Sequence, residues 1–448
     1  MTGNPGLQRV LSTRDLIFYG IVLIQPIAPV GIFGLASAMS RGHAVVAILV
    51  AMVAMALTAV SYGRMAALYP SAGSAFTYVG RSLGANLGFL AGWAMVLDYL
   101  IIPLINVVFG ALTLERIAPA VAFPVWAAIL VALMTGLNLG GIRATARANE
   151  VLLYIMCAVV GLFAVRAVGY LWQTGGAPAL LSWEPFYRAD TFDWRAVLGA
   201  TSLAAVTYIG FDGVTTLAEE AHDARRSILR ATVAVVLIIG GLSVVQIYLA
   251  QRAWPDYGTF PNPETAFLDV SRRVGGETLF QAMGVILVIA CLGSGLTGQA
   301  GAARLLYAMG RDGFLPGAWF ARVDARRGVP WVNTLLIGAL SLLGAFLIRY
   351  RLAAELLNFG AFLGFLGVNA AVIAEYGVRR RGSGGRRPVL DVLMPGLGFV
   401  FCLVIWLSLA KTAKLAGGIW LVVGFAYLTL LTRGFRVAPR RWDFSEAA

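Results

Sequence analysis

Histidine, cysteine and charge are all scarce in this 448-residue chain, and each scarcity removes a class of function. The two histidines, His43 and His222, both fall between apolar runs, too few to assemble a histidine-based metal centre or hydrolytic triad. The three cysteines, Cys157, Cys291 and Cys402, each sit inside an apolar run and read as small core residues. They show neither metal-ligand spacing nor a disulfide framework. A membrane-embedded enzyme therefore has no nucleophile or metal constellation to work with, and no cofactor or metal is expected. Charged residues make up 13% of the chain, against about 25% in a soluble domain. Nothing resembles a ring-forming selectivity filter, which argues against a channel.

What the chain has in excess is apolar surface: 59% hydrophobic residues and a mean hydropathy of +0.80. No soluble fold could bury that much, so the class is all-α integral membrane, helical because the apolar runs are long rather than alternating. No cleavable signal peptide is expected, since the first apolar run continues past Pro29 with no small-residue cleavage pattern.

Twelve transmembrane spans fit the pattern, near 15–40, 44–68, 85–112, 122–140, 148–172, 194–218, 229–251, 278–303, 331–349, 353–377, 390–410 and 415–433. The longest connections lie at 173–193, 252–277 and 304–330. Orientation follows from Lys and Arg, which gather on the cytoplasmic side of a membrane. With the N-terminus inside, 23 of the 35 basic residues are cytoplasmic, including the Arg379–Arg381 and Arg386–Arg387 cluster, and both termini are cytoplasmic. The net charge of +13 is then a topology signal whose natural partner is anionic lipid, and nucleic acid is not needed to explain it. The expected location is the plasma (bacterial inner) membrane.

Two spans are interrupted near their middles, by Gln25-Pro26-Ile27-Ala28-Pro29 in the first and Gly210-Phe211-Asp212-Gly213 in the sixth. Unpaired backbone groups in hydrocarbon cost several kcal/mol, so such breaks survive only inside protein or beside a wet cavity. Broken helices at matching places in two halves of a chain point to a transporter's binding site. The expected organisation is a cytoplasmic tail (1–14), a first five-helix repeat (15–172), an extracytoplasmic loop (173–193) and a second, inverted five-helix repeat (194–378). A basic cytoplasmic loop (379–389), helices eleven and twelve (390–433) and a C-terminal tail (434–448) complete it.

Three stretches carry a family resemblance. The segment Tyr62-Gly-Arg-Met-Ala-Ala-Leu-Tyr-Pro-Ser-Ala-Gly-Ser-Ala-Phe-Thr-Tyr78 resembles a motif of the amino acid–polyamine–organocation superfamily. Tyr208-Ile-Gly-Phe-Asp-Gly213, followed by Glu219-Glu220 and Arg225-Arg226, resembles a second, and Val30-Gly-Ile-Phe33 a third. Within the superfamily the chain looks most like putrescine-importer-type permeases. The resemblance implies a LeuT-like 5+5 fold with broken helices 1 and 6, two extra C-terminal helices, and a solute held between spans 1, 3, 6, 8 and 10. Three positions depart from the family pattern. Pro29 stands where the first glycine of the G-x-G-I-F signature is expected, and with Pro26 it deletes N–H donors that would hold a carboxylate. Met156 stands where some members carry a fifth-span lysine used in proton coupling, and Val206 where an aromatic gate is expected.

The candidate solute-binding residues are Gln25, Ala28, Pro29, Gly31, Asp98, Tyr99, Tyr208, Gly210, Phe211, Asp212 and Gly213. Asp98 and Asp212 are acids at mid-span, where an acid costs about 2.5–3.5 kcal/mol and usually faces a cavity. Each could hold a substrate ammonium or carry the coupling proton. The bland alternatives are a hydrogen-bonded neutral acid for Asp98 and a cap on a half-helix restarting after Gly213 for Asp212. Gln25 either contacts solute or satisfies carbonyls freed at the kink; Tyr208, Phe211 and Tyr99 either meet a cation or pack. Arg64, Glu219, Glu220 and Arg225 either form an inner gate or a solvated loop face. The expected activity is uptake of an amine-bearing solute, a polyamine such as putrescine or an amino acid, by alternating access with a proton as coupling ion. The alternative is an amino acid exchanger binding the substrate carboxylate at the first break.

Overall fold

The computed structural model describes residues 11–70, 74–141, 146–218, 220–311, 315–324, 326–379 and 387–436. The expected gate residue Glu219, most of the basic run before Arg387, and the outer parts of both tails lie outside them. The described residues form helices joined by short turns, with no strand beyond a single backbone bridge between Leu11 and Ala221.

The first apolar run is two helices. Helix α1 (Thr13–Ile24) starts on a capping box, in which the Ser12 hydroxyl accepts from the Asp15 N–H and the Asp15 carboxylate accepts from the Ser12 N–H at 2.9 Å. It stops at Gln25, whose φ of 71° turns the chain away from the helix path. Pro26 and Pro29 bar continued helix, and a tight turn over Ala28–Gly31 leads into α2 (Phe33–Met39). Then follow α3 (Ala44–Leu68), α4 (Ser74–Leu83), α5 (Ala85–Ile117), α6 (Phe123–Leu139) and α7 (Ala146–Leu180).

The second interrupted run begins at α8 (Trp194–Ala204), capped by Asp193. It tightens over Ala205–Tyr208, reverses at Gly210 with φ of 112°, and resumes as a narrow helical turn over Phe211–Leu217. The restart comes at Phe211, three residues before the position read from the sequence, because the left-handed turn is made by Gly210 and not by Gly213. Beyond it lie α9 (Ala224–Ala253), α10 (Ala266–Arg311), α11 (Gly317–Phe320), α12 (Trp331–Leu347), α13 (Tyr350–Val372, running on in wider turns to Arg379), α14 (Met394–Leu407) and α15 (Lys411–Leu431).

Ten helical runs among the described residues are long and apolar enough to cross a membrane, and α6 and α12 are shorter apolar helices. The chain is a multi-pass membrane protein. Connections expected to be irregular contain helix: α7 reaches Leu180 across a kink at Gly176, and α10 starts at Ala266, kinks at Gly276 and ends at Arg311.

The two interruptions lie against each other. A Cβ on Gly213 would stand 2.4 Å from the Leu23 side chain at the end of α1, so the two segments approach closely there. Helices α3 and α9 pack side by side, as do α10 and α13 against α5, and the buried core runs through all of them.

Candidate functional site

The backbone groups freed at the first break are met by protein. The Gln246 side chain on α9 donates to the Pro26 carbonyl at 3.0 Å, and Gln25 donates to the Ala290 carbonyl of α10 at 3.4 Å. Within the turn, the N–H groups of Ala28, Val30 and Ile32 donate to the carbonyls of Gln25, Ile27 and Pro29. Gly31 lies under the Tyr350 ring, which stacks on Phe109 with centroids 5.0 Å apart, and a Cβ on Gly31 would come within 2.7 Å of the Tyr350 hydroxyl. The first break is thus closed and its donors are largely spent internally. Nearby, outside the spans, burial raises the Glu264 carboxyl above its usual range, with Arg349 opposing.

At the second break a cavity opens with room for about one water, about 10 Å³. Its walls come from four elements: Tyr62 of α3, Met95 and Asp98 of α5, Ile209 and Asp212 of the break, and Ala361, Gly364 and Phe365 of α13. Both acids singled out from the sequence therefore line one space, and no basic residue lines it with them. The Asp98 Oδ1 atom is buried without a hydrogen-bond partner. Asp212 faces the backbone amides of Gly210, Gly213 and its own residue, while the Thr215 hydroxyl donates to its carbonyl at 2.6 Å. Uncompensated carboxylate in a low-dielectric space costs several kcal/mol, and a proton or a cationic ligand relieves it. Aromatic rings frame the same space: Tyr62 meets Phe211 at 5.5 Å and Phe365 at 5.9 Å, mostly edge-on.

The other sequence candidates are placed elsewhere. Tyr208 is fully buried and donates to the Ile48 carbonyl at 3.0 Å, anchoring the break to α3 without lining the cavity. Tyr99 packs on Gly301 of α10. Phe211 is fully buried behind Tyr62. Gln25, Ala28, Pro29 and Gly31 build the first break, and Gly210 and Gly213 the second. Arg64 pairs with the buried Asp391 and stacks over Tyr376 at 4.0 Å, so it does not reach Glu220. Glu220 instead uses its carbonyl to accept from the Leu11 N–H at 3.0 Å, and Arg225 is exposed. Tyr62 opens the motif that carried the resemblance, yet its place on the cavity needed the fold. Gly364 and Phe365 had no local sign beyond the small-residue spacing of Gly360 and Gly364.

The amino acid permease family model matches residues 12–431. The low-affinity putrescine importer PlaP of Escherichia coli K12 is 32% identical over 97% of this chain and 96% of its own length. The branched-chain amino acid permease BcaP of Bacillus subtilis is 27% identical over 96% of this chain and 95% of its own. The methylthioribose transporter of Bacillus subtilis matches with the same identity and coverage.

Proposed function

This chain belongs to the amino acid permease family, and on that premise we propose that it is a secondary transporter importing a cationic amine, a diamine such as putrescine foremost. Membership makes it a permease and not an enzyme. The observation that carries the substrate reading is the shared cavity of Asp98 and Asp212, which holds two acids and no base. The rest of its wall is aliphatic and aromatic, suited to a methylene chain and to a cation over a ring. The likeness to a putrescine importer along nearly the whole chain supports the same class.

The rival, an amino acid exchanger, needs backbone donors at the first break for the solute's carboxylate. Pro26 and Pro29 have none, and Ala28, Val30 and Ile32 have committed theirs within the turn. We read the ten long and two shorter apolar helices as twelve spans, with inverted repeats opening on α1–α2 and on α8 and both termini cytoplasmic in the inner membrane. Alternating access would rock these repeats about the cavity. A proton would couple transport through Asp98 or Asp212.

The test is uptake into proteoliposomes of labelled putrescine, agmatine, arginine and a neutral amino acid, with and without a proton uncoupler. Saturable diamine uptake that collapses with the uncoupler is expected. Transport of amino acids alone would overturn the amine reading.

A further inference from the structure

We propose that Gly364 is a size-determining residue of the solute site: its missing side chain leaves the extra width that a solute carrying a carboxylate or branch beside its ammonium needs. The inference deepens the amine reading above and rests on it for the chemical class of the solute.

Helix α13 presents Gly360, Gly364 and Gly367 at helical spacing toward α4 and α5. The outer two are demanded by packing. A Cβ on Gly360 would stand 2.5 Å from the Ala94 carbonyl oxygen, a backbone atom that cannot yield, and one on Gly367 would stand 2.7 Å from Val79 Cγ2. Gly364 is different. A Cβ there would meet Ala75 Cβ at 3.7 Å, and Met95 Cγ and the Tyr62 hydroxyl at 3.9 Å, all ordinary contact distances. Its backbone is helical, and glycine is among the poorest helix formers, so local conformation does not ask for it either. What remains is its position on the wall of the cavity that Asp98 and Asp212 share.

That cavity has room for about one water, about 10 Å³, so a methyl group on residue 364 would take up much of it. Of the cavity's lining residues, Met95 and Tyr62 come nearest Gly364, so a solute beside it meets thioether and aromatic surfaces. An unbranched aliphatic amine is slender enough to lie there without the full clearance. A solute bearing a carboxylate or branch beside its ammonium needs the extra width that the bare Cα supplies.

The experiment compares wild type and Gly364→Ala in proteoliposomes for putrescine, ornithine (the same chain with a carboxylate) and arginine, together with thermal unfolding of the purified proteins. Gly364→Ala is expected to fold with an unfolding midpoint at or above that of wild type. Its KM for the branched solutes should rise about tenfold more than its KM for putrescine, as pocket contacts of methyl size discriminate. Gly360→Ala, by contrast, should lose folded protein. Equal KM changes for all solutes, no change in any, or a Gly364→Ala protein that fails to fold would each overturn the role given to Gly364. Wild type that transports no amine defeats the amine reading instead, and the variant-to-wild-type KM ratios for whatever solutes it does carry still judge Gly364.

Discussion

Gln246 donates a hydrogen bond of 3.0 Å to the carbonyl of Pro26, joining α9 to the middle of the first interrupted helix. A proline-rich break inside a membrane frees backbone acceptors that lipid cannot satisfy, and here a neighbouring helix satisfies one of them. Gln246→Leu leaves the Pro26 carbonyl buried and unpaired, a loss of about 1–3 kcal/mol. A lowered unfolding midpoint in detergent is expected, and an unchanged midpoint would show that the glutamine does not hold the break.

Asp98 carries an oxygen with no partner on the wall it shares with Asp212. Asp98→Asn removes the ionisable group while keeping its shape. Net uptake is expected to lose its dependence on external pH, with the protein still inserted and folded. A pH–uptake profile identical to that of wild type would take Asp98 out of proton coupling.

The interrupted helices were legible because their causes are local. Pro26 and Pro29 cannot continue a helix, and a glycine at 210 permits the left-handed turn that its φ of 112° confirms. The two mid-span acids were legible for the same reason: a carboxylate is conspicuous where it is expensive. Partners were not legible. Arg64 meets Asp391, 327 positions later, in an apolar stretch just beyond the arginine cluster. The reciprocal pair formed by Trp93 and Trp420, each donating its indole N–H to the other's carbonyl at 2.9 Å, docks α15 on α5 and leaves no trace in local pattern. Tyr208 looked like a site residue because it adjoins the break, yet which way its ring turns depends on the carbonyl of Ile48.

Arg64 and Asp391 form a nearly buried ion pair, with side chains 15% and 5% exposed. Removing one partner strands the other, at a cost of about 3–5 kcal/mol. Arg64→Ala should therefore reduce the yield and unfolding midpoint of the purified protein. Combining it with Asp391→Asn should recover part of the loss, and a double variant worse than the sum of the two would contradict the pairing.

His43 lies between α2 and α3, fully buried, with Nε2 at 3.1 Å from the Thr191 hydroxyl and its ring edge-on to Phe192. Burial holds its pKa below the ordinary 6.5, so below that pH the unfolded chain takes up a proton that the folded chain resists. Stability from this residue is full above 6.5 and is lost as pH falls through that value. His43→Gln should flatten the decline of the unfolding midpoint between about pH 7.5 and 5.5. An equally steep decline would assign the acid sensitivity to other groups.

The most direct measurement is equilibrium binding of labelled putrescine to the purified protein, comparing wild type with Asp98→Asn/Asp212→Asn. Saturable binding to wild type, displaced by other diamines and lost in the double variant, is expected if the two carboxylates that share the cavity at the second break receive the solute's positive charge. Binding that survives neutralising both acids, or that neutral amino acids displace and diamines do not, would contradict it.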